Sequence, residues 1–186
     1  MTVIATPSST NTDLSDKYKV TDATVRARVN EMDSQLRDKN CTILDGFDGI
    51  GMGTERSAYY DPATNLVYKK RHDVTSVASQ EFAHRERVAL EKAHKFLAAL
   101  PPRYADTKFH ITPNGMEYMV QEYVPNAGEE RWEDALTDEV ADIFWNVKCA
   151  VTGLSRDYVP GNIGSDPVTG QAVLIDLLEI REDAWW

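Results

Sequence analysis

Apolar residues recur at helical spacing in three segments of the chain. The first segment runs from Asp22 to Arg37, after Thr21, a residue that can cap a helix. Its apolar positions, three or four residues apart, are Val25, Val29, Met32 and Leu36. The second runs from Ser76 to Leu100 and is closed by two prolines, which cannot continue a helix. The third runs from Asp138 to about Val151, so the pattern predicts three helices.

Short strand patterns, bounded by turn residues, lie between these helices. From Cys41 onward the sequence predicts a short apolar strand, a glycine-dense turn and two further strands, Arg56 to Tyr60 and Leu66 to Lys69. Together they predict a three-stranded meander. FHITPNGMEYMVQEYV predicts a hairpin, in which Asn114 and Gly115 supply the positive φ angles of a tight turn. SDPVTGQ predicts the turn between two short strands further along the chain.

The order of these elements indicates the fold class. Strands and helices do not alternate strictly, which favours an α+β protein over a doubly wound parallel sheet. Residues 1–20 are rich in Ser, Thr and Asp and poor in large apolar groups, so we predict a flexible leader there. Because 186 residues are enough to bury one full core, residues 21–186 are predicted to form a single domain.

One carboxylate lies on the apolar face of the long helix. At about 100° per residue, Glu86 points to the centre of an apolar stripe. The stripe consists of Phe82, Ala89, Leu90, Ala93 and Leu97. A buried carboxylate must meet a cation, reach solvent or take up a proton. Alternation in LVYKK directs either Lys69 or Lys70 inward, and a Lys69–Glu86 pair is the most economical arrangement. A pair that only fastens the helix to the sheet is the alternative interpretation.

The charge of the chain limits its partners. With 20 Lys and Arg against 30 Asp and Glu, the net charge is −10, which disfavours binding to nucleic acid or to an anionic membrane surface. The two cysteines form no metal-binding pattern, and no apolar stretch is long enough to span a bilayer. Since MTVIATPSST has no signal-peptide pattern, we expect a cytoplasmic protein.

Five features occur in an order that resembles the protein-kinase-like superfamily. They are a glycine-dense turn between two strands, a strand lysine, a helical glutamate, an apolar strand ending in QEYVP, and D-x-x-x-x-N before an apolar strand ending in Asp. The resemblance covers roughly Cys41 to Glu179 and is closest to the small kinases encoded by bacteriophages. It implies an N-lobe over residues 21–121, with an antiparallel sheet, one long helix and an extra N-terminal helix. Residues 122–186 would form the hinge and a truncated C-lobe.

The resemblance implies a phosphate-binding half of the site. GMGTERSAY resembles the loop that covers the phosphates, with Gly51 and Gly53 as its first two glycines and Arg56 where the third would be. NLVYK resembles the V-A-I-K strand, so Lys69 would contact the α- and β-phosphates of ATP, and Glu86 would be its helical partner.

The other half would bind adenine and metal. EYMVQEYVP is similar to the interlobe hinge, whose main chain at Glu122 and Val124 would bind adenine. SRDYVPGN is similar to the catalytic loop, so Asp157 would accept or orient the proton of the acceptor hydroxyl, and Asn162 would bind Mg²⁺. VLIDLLE is similar to the strand that ends in the DFG motif, which makes Asp176 the second magnesium ligand. The implied ligands are ATP and Mg²⁺.

The sequence also departs from the family pattern. Ser155 stands where the catalytic loop usually has a histidine, and Leu177 and Leu178 follow Asp176 in place of Phe and Gly. Only ten residues follow Asp176, so we expect the peptide-binding part of a C-lobe to be missing. Two functions are therefore open. One is a phosphotransferase acting on a protein Ser or Thr hydroxyl, in a host if the chain is phage-encoded, and the other is a pseudokinase-like module that inhibits or sequesters a partner protein.

Overall fold

The computed structural model describes residues 16–38, 43–52, 56–72, 75–98, 103–125 and 163–175. Its helices are α1 (Ala23–Arg37) and α2 (Ser76–Leu97), preceded by a 3₁₀ turn at Asp16–Tyr18. The strands are β1 (Asp48–Met52), β2 (Arg56–Asp61), β3 (Leu66–Arg71), β4 (Arg103–Tyr104), β5 (Thr107–Ile111), β6 (Glu117–Glu122), β7 (Ile163–Ser165) and β8 (Ala172–Leu174). The described residues confirm the predicted α+β class. The predicted helix from Asp138 to Val151 lies outside them.

Five strands form an antiparallel sheet in the order β1-β2-β3-β6-β5. The predicted meander corresponds to the first three of them. β2 and β3 pair in unbroken register from Arg56 opposite Arg71 to Asp61 opposite Leu66. Because α2 lies between β3 and β5 in the chain, the β5–β6 hairpin joins the sheet after the helix. A five-stranded sheet with one long helix is compatible with the kinase-like N-lobe that the resemblance implied.

Helix α1 covers one face of this sheet. Val29 and Met32 of α1 are fully buried in a core that includes Tyr68 of β3 and the two β6 residues Tyr118 and Val120. Alternation along the strands means that Lys69 of β3 and its β6 neighbours point to the opposite face. The extra N-terminal helix is therefore an integral layer of the domain.

Helix α2 packs on the opposite face. Four apolar residues of the predicted stripe are buried: Ala89, Leu90, Ala93 and Leu97. Thr75 caps the helix, since its side chain accepts a hydrogen bond from Ala78 N at 3.2 Å. None of the described helices is long and apolar enough to cross a membrane.

A second, three-stranded sheet lies beside the end of α2. β4 runs parallel to β8, and β8 pairs antiparallel with β7. The turn predicted from SDPVTGQ joins β7 and β8, and Asp166 stabilises it by accepting hydrogen bonds from Val168 N and Thr169 N. Arg103 of β4 ties this turn to the first sheet, because its guanidinium binds both Asp166 and Glu122.

Two predictions about the N-terminal part of the chain were wrong. Residues 16–20, which we assigned to a flexible leader, pack against the sheet: Tyr18 and Val20 are 2% and 6% exposed, and Val20 N donates to Phe109 O at 3.1 Å. The burial of these two side chains thus orders the segment, although its composition is polar. The cap of α1 is Asp22 and not Thr21, because the Asp22 carboxylate accepts from two helix N–H groups.

Two turns also differ from their predictions. The first strand begins at Asp48, so Gly49 lies inside β1, whereas residues 43–47 form no strand. In the β5–β6 hairpin only Gly115 has a positive φ, at 81°. The loop there is longer than a two-residue turn and is closed by a hydrogen bond from Thr112 N to Met116 O at 2.8 Å.

Candidate functional site

Lys69 is buried on the sheet face that carries α2. Its side chain is directed there by the alternation of β3, in which Tyr68 packs against α1. Lys69 is 8% exposed, whereas Lys70 is half-buried on the other face. Of the two lysines that alternation left open, Lys69 is therefore the one that points toward α2.

The ammonium of Lys69 reaches the end of β8. Lys69 Nζ donates to Ile175 O at 3.2 Å, and the hydroxyl of Tyr104 donates to the same oxygen at 3.4 Å. The pairing of β4 with β8 holds this strand in place, since Ala105 N donates to Leu174 O at 2.8 Å. Ile175 directly precedes Asp176 in the sequence. The contact between Lys69 and Ile175 thus joins β3 to β8. Lys69 is the predicted ATP-binding lysine, and β8 leads to Asp176, a predicted magnesium ligand.

Glu86 is buried in the apolar stripe of α2, as its helical position predicted. It is 2% exposed and lies one turn from the buried residues Ala89 and Leu90. The carboxylate forms an ion pair with Arg56, the first residue of β2, whose side chain is 15% exposed. We expected Lys69 in this role. The structure records Arg56 there, because β2 directs Arg56 to the same face, and the Lys69–Glu86 contact stays a prediction.

A second buried ion pair, of reversed polarity, lies next to the first. Arg87 of α2 binds Glu117 of β6, and both side chains are buried. Burial raises the pKa of Glu117 to about 7, although the charge of Arg87 opposes the shift. Consecutive residues of α2 therefore each meet an opposite charge on the sheet. Such reciprocal pairing fixes both the rotation and the position of the helix.

Positive charge is concentrated on the strands at this point. Arg56 lies opposite Arg71 in the β2–β3 register, and Ala58 lies opposite Lys69. The three basic side chains are thus neighbours on one face of a protein whose net charge is −10. A cluster of this kind suits an anionic ligand such as a phosphate, for which guanidinium and ammonium groups are the usual protein partners.

Beyond Lys69 the same sheet face becomes apolar and aromatic. Tyr60 of β2 lies opposite Val67 of β3, two residues before Lys69. The ring of Tyr60 packs on the ring of Tyr123, which follows β6, with 4.3 Å between the ring centroids. Both tyrosines are half-buried. A flat ligand ring could pack on such a surface next to the basic cluster.

The predicted hinge lies at the end of β6. Glu122 N donates to Asp106 O at 3.0 Å, and the Glu122 carboxylate binds Arg103. The main-chain N–H of Glu122 is therefore already used by the neighbouring chain segment. Val124 is 6% exposed and belongs to a small core with Ala105 and Val173 of the second sheet.

Of the two predicted loop glycines, the structure describes one. Gly51 lies in β1 opposite Ala58, just after an irregularity in the β1–β2 register that begins at Gly49. No atom lies within 4 Å of the position that a Cβ at Gly51 would occupy, so the strand leaves open space there. Gly53 lies outside the described residues.

The three predicted oxygen-bearing residues lie outside the described part of the chain. They are Asp157, Asn162 and Asp176. Within the described ranges there is no group of three or more His, Cys, Asp and Glu residues that could hold a metal ion. The catalytic aspartate and the magnesium site therefore stay predictions.

Sequence reasoning missed the two arginines and the second glutamate of the buried ion pairs. A signal for Glu117 was present, because Tyr118 and Val120 mark one face of β6 and place Glu117 on the other. Arg87 is one position from Glu86 and lies at the border of the apolar stripe. The only sequence signal at Arg56 is that it stands in place of the third glycine of the loop.

Comparisons with known proteins give little further information. No protein-family model matches the chain, and no curated protein matches it. A solved structure described as "PpkA-294 apo form" matches 76% of this chain and 62% of its own, at 16% identity and a TM-score of 0.38. The matched part is thus less than two thirds of that structure. A likeness this weak establishes neither a fold nor an activity.

Proposed function

We propose that the chain is an ATP- and Mg²⁺-dependent phosphotransferase of the protein-kinase-like type, acting on a protein Ser or Thr hydroxyl. The observation that carries the proposal is the position of Lys69, a buried ammonium that joins β3 to the end of β8, on the face covered by the helix of Glu86. In a protein kinase, the lysine that binds the phosphates lies between the glycine-rich loop and the aspartate that binds the metal. A phage origin stays a prediction from the sequence.

The described residues fit a nucleotide by their chemistry. The basic cluster of Arg56, Lys69 and Arg71 suits phosphates, and the half-buried pair Tyr60 and Tyr123 suits a flat base. Both surfaces lie on one face of the sheet. Bound ATP would supply the phosphoryl group, and Mg²⁺ would neutralise its charge.

Each predicted residue has a separate task in this proposal. Lys69 holds a phosphate oxygen and keeps the phosphates in a fixed position, and Glu86 positions the helix and its surrounding cations. Asp157 accepts or orients the proton of the acceptor hydroxyl. Asn162 and Asp176 would hold the magnesium ion, since amide and carboxylate oxygens are suitable ligands for it.

Thermal unfolding with and without ATP and Mg²⁺ tests the nucleotide site. A ligand present at about one hundred times its dissociation constant stabilises the native state by roughly 2.7 kcal/mol. For a chain of this size we expect the melting temperature to rise by roughly 5–10 °C. Lys69→Ala should abolish the rise, whereas Lys70→Ala, on the same strand but facing away from the cluster, should retain it. An unchanged melting temperature of the wild-type protein would contradict the proposal.

Phosphoryl transfer needs its own measurement. We expect label from γ-labelled ATP to appear on a protein acceptor with the wild-type chain and to be lost with Asp157→Ala. Nucleotide binding should survive this substitution, because the proposed role of Asp157 concerns the acceptor hydroxyl. Transfer that continues in Asp157→Ala would show that another residue serves the acceptor.

A binding module without transfer is the second candidate. One observation favours it: Glu86 forms a buried ion pair with Arg56 that fastens α2 to β2, a structural role that needs no nucleotide. Such a module would bind its partner protein equally well with or without nucleotide, and Asp157→Ala would not change this binding. Label transfer that depends on Asp157 would exclude it.

A further inference from the structure

Helix α1 holds the segment that leads into β1. Arg28 of α1 donates from Nη2 to Gly46 O at 2.8 Å, and its guanidinium carbon lies 4.1 Å from the centre of the Phe47 ring. The planar guanidinium thus binds the main chain through an N–H group and the aromatic ring through its face. Phe47 is buried and directly precedes β1. One side chain of the helix therefore fixes two consecutive residues before the strand.

Gln35 of α1 makes a second attachment to the same segment. Its side-chain nitrogen donates to Asp45 O at 3.2 Å, and its side-chain oxygen accepts from Asp45 N at 2.7 Å. Both main-chain groups of Asp45 are thus satisfied by one amide, much as a neighbouring strand would satisfy them. The helix therefore holds residues 45–47 at three successive positions.

The orientation of Arg28 is itself fixed by the end of β2. Its Nε and Nη2 donate to the two carboxylate oxygens of Asp61 at 3.0 Å and 2.9 Å. That carboxylate also accepts from the hydroxyls of Tyr68 and Thr64. Asp61 is the last residue of β2, the strand that pairs with β1. Arg28 therefore connects both strands of this pair at the end remote from the glycine-rich segment.

Burial contributes little to the position of β1. All five of its residues are exposed, and it lies at one edge of the five-stranded sheet. Its pairing with β2 is also irregular, because the register shifts between Gly49 and Gly51. Glycines within a strand weaken it, since they have no side chain to pack. The attachment of residues 45–47 to α1 is therefore an important determinant of where β1 lies.

This attachment bears on the predicted phosphate-binding loop, because Gly51 belongs to β1. We propose that Arg28 is a positioning residue for the phosphates of a bound nucleotide, and that α1 holds β1 where the glycine-rich segment can cover them. The inference rests on the proposed nucleotide site. A strand that is already in place loses little conformational freedom when the ligand binds, so the ligand binds more tightly. The base would depend less on this hold, because Tyr60 and Tyr123 provide its proposed surface.

Calorimetric titration of the full chain with ATP and Mg²⁺, and separately with adenosine, tests this role. Gln35→Ala should weaken ATP binding by roughly threefold to tenfold, the effect of about one hydrogen bond. Arg28→Lys should weaken it at least as much, since one ammonium cannot replace the guanidinium at all of its partners. The adenosine affinity should stay the same in both variants, because adenosine has no phosphates. A purely structural role would give no difference between ATP and adenosine.

Asn30→Ala is the matched control. Asn30 also lies on α1, and its side-chain oxygen shares a hydrogen bond of 2.9 Å with Nε2 of His110 in β5. β5 forms the edge of the sheet opposite to β1. We expect Asn30→Ala to lower the melting temperature about as much as Gln35→Ala and to leave the ATP affinity unchanged. Gln35→Ala leaves the Arg28–Asp61 ion pair intact, so it serves as the test variant if Arg28→Lys does not fold.

Hydrogen exchange of the unliganded chain follows β1 directly. The amides of residues 48–52 should exchange faster in Arg28→Lys and Gln35→Ala than in the wild-type chain, because the strand opens more readily when its attachment is lost. In Asn30→Ala their exchange should stay at the wild-type rate. Equal rates in all four proteins would contradict the hold of α1 on β1.

The outcomes separate this inference from the proposed function. If the wild-type chain binds ATP and both Arg28→Lys and Gln35→Ala bind it equally well, the role of Arg28 is wrong and the nucleotide site stands. The same conclusion follows if Asn30→Ala weakens ATP binding as much as Gln35→Ala does. A wild-type chain that does not bind ATP overturns both the proposed function and the role of Arg28 in it, whatever the exchange of β1.

Discussion

The two faces of the five-stranded sheet bury carboxylates in different ways. On the α1 face, Asp33 is 1% exposed and accepts hydrogen bonds from Tyr118, Thr112, Asn114 and Arg37. Burial alone would raise the pKa of Asp33, but these bonds outweigh it and hold the pKa below its ordinary value. The carboxylate is stabilised in its charged form.

Asp61 repeats this arrangement on the same face. Its fully buried carboxylate accepts from the guanidinium of Arg28 and from the hydroxyls of Tyr68 and Thr64. Again burial acts to raise the pKa, and the hydrogen bonds outweigh it so that the pKa is lowered. Both carboxylates of the α1 face therefore belong to completed networks, which is typical of a structural role.

On the α2 face, the effect of burial on the carboxylate pKa outweighs the effect of the cation and the hydrogen bonds. Glu117 forms an ion pair with Arg87, and burial raises its pKa to about 7 although the charges of Arg87 and Arg56 oppose the rise. Glu86 lies nearby, and its negative charge adds to this rise. A buried carboxylate poised near neutral pH is a feature of sites that respond to a ligand or a proton. The comparison indicates that hydrogen-bond networks hold the carboxylates of the α1 face in their charged form, whereas burial dominates at Glu117 on the α2 face.

The largest expected effect is on the α1 face. Asp33→Ala removes the shared acceptor and leaves several buried donors unsatisfied, so we expect a loss of roughly 3–5 kcal/mol in the free energy of unfolding. Urea denaturation followed by circular dichroism would measure it. Asp48→Ala, at an exposed position of β1, is the control and should change the free energy by less than about 0.5 kcal/mol. Equal losses would contradict the structural role of Asp33.

The pH dependence of stability should distinguish the two faces. The folded protein keeps the Glu117 proton up to about pH 7, whereas the ordinary pKa is 4.5. Between these values the folded state binds more protons than the unfolded state, so stability falls as the pH rises. The shift corresponds to roughly 3 kcal/mol. We expect Glu117→Gln to remove this fall between pH 5 and pH 8, as measured by urea denaturation at both pH values.

Asp33 provides the opposite case. Because its folded pKa is lowered, its contribution is present above the unfolded pKa and is lost only as the pH falls through the folded value. Asp33→Asn should therefore leave the slope between pH 5 and pH 8 unchanged relative to the wild-type protein. If the slope disappears in Asp33→Asn and persists in Glu117→Gln, the assignment of the two faces is wrong.

The sequence was most informative where a single periodicity of apolar residues determines the local structure. The helical spacing predicted both described helices and the burial of Glu86, and alternation narrowed the inward lysine to two candidates. It could not name the partner of Glu86. The partner of Glu86 depends on the strand that pairs with β3 and on the register of that pairing. The sequence does not give this register, which places Arg56 opposite Arg71.

Local turn chemistry was less reliable because tertiary contacts override it. Gly49 predicted a turn, yet pairing with β2 draws it into β1. The leader prediction failed at Tyr18 for a similar reason, since composition does not reveal that a single aromatic ring finds a buried site. The α1 networks around Asp33 join residues about 80 positions apart in the chain, a distance over which no spacing rule applies.

The smallest expected effect concerns the caps of the two helices. The Asp22 carboxylate accepts from Thr24 N at 2.7 Å and Val25 N at 3.2 Å, whereas the Thr75 hydroxyl accepts from Ala78 N alone, at 3.2 Å, among the contacts described. We expect Asp22→Ala to lower the free energy of unfolding by about 1 kcal/mol and Thr75→Ala by less. Hydrogen exchange should then show faster opening at the start of α1 in Asp22→Ala and at the start of α2 in Thr75→Ala. A larger loss from Thr75→Ala would mean that α2, and not α1, is the more firmly held helix.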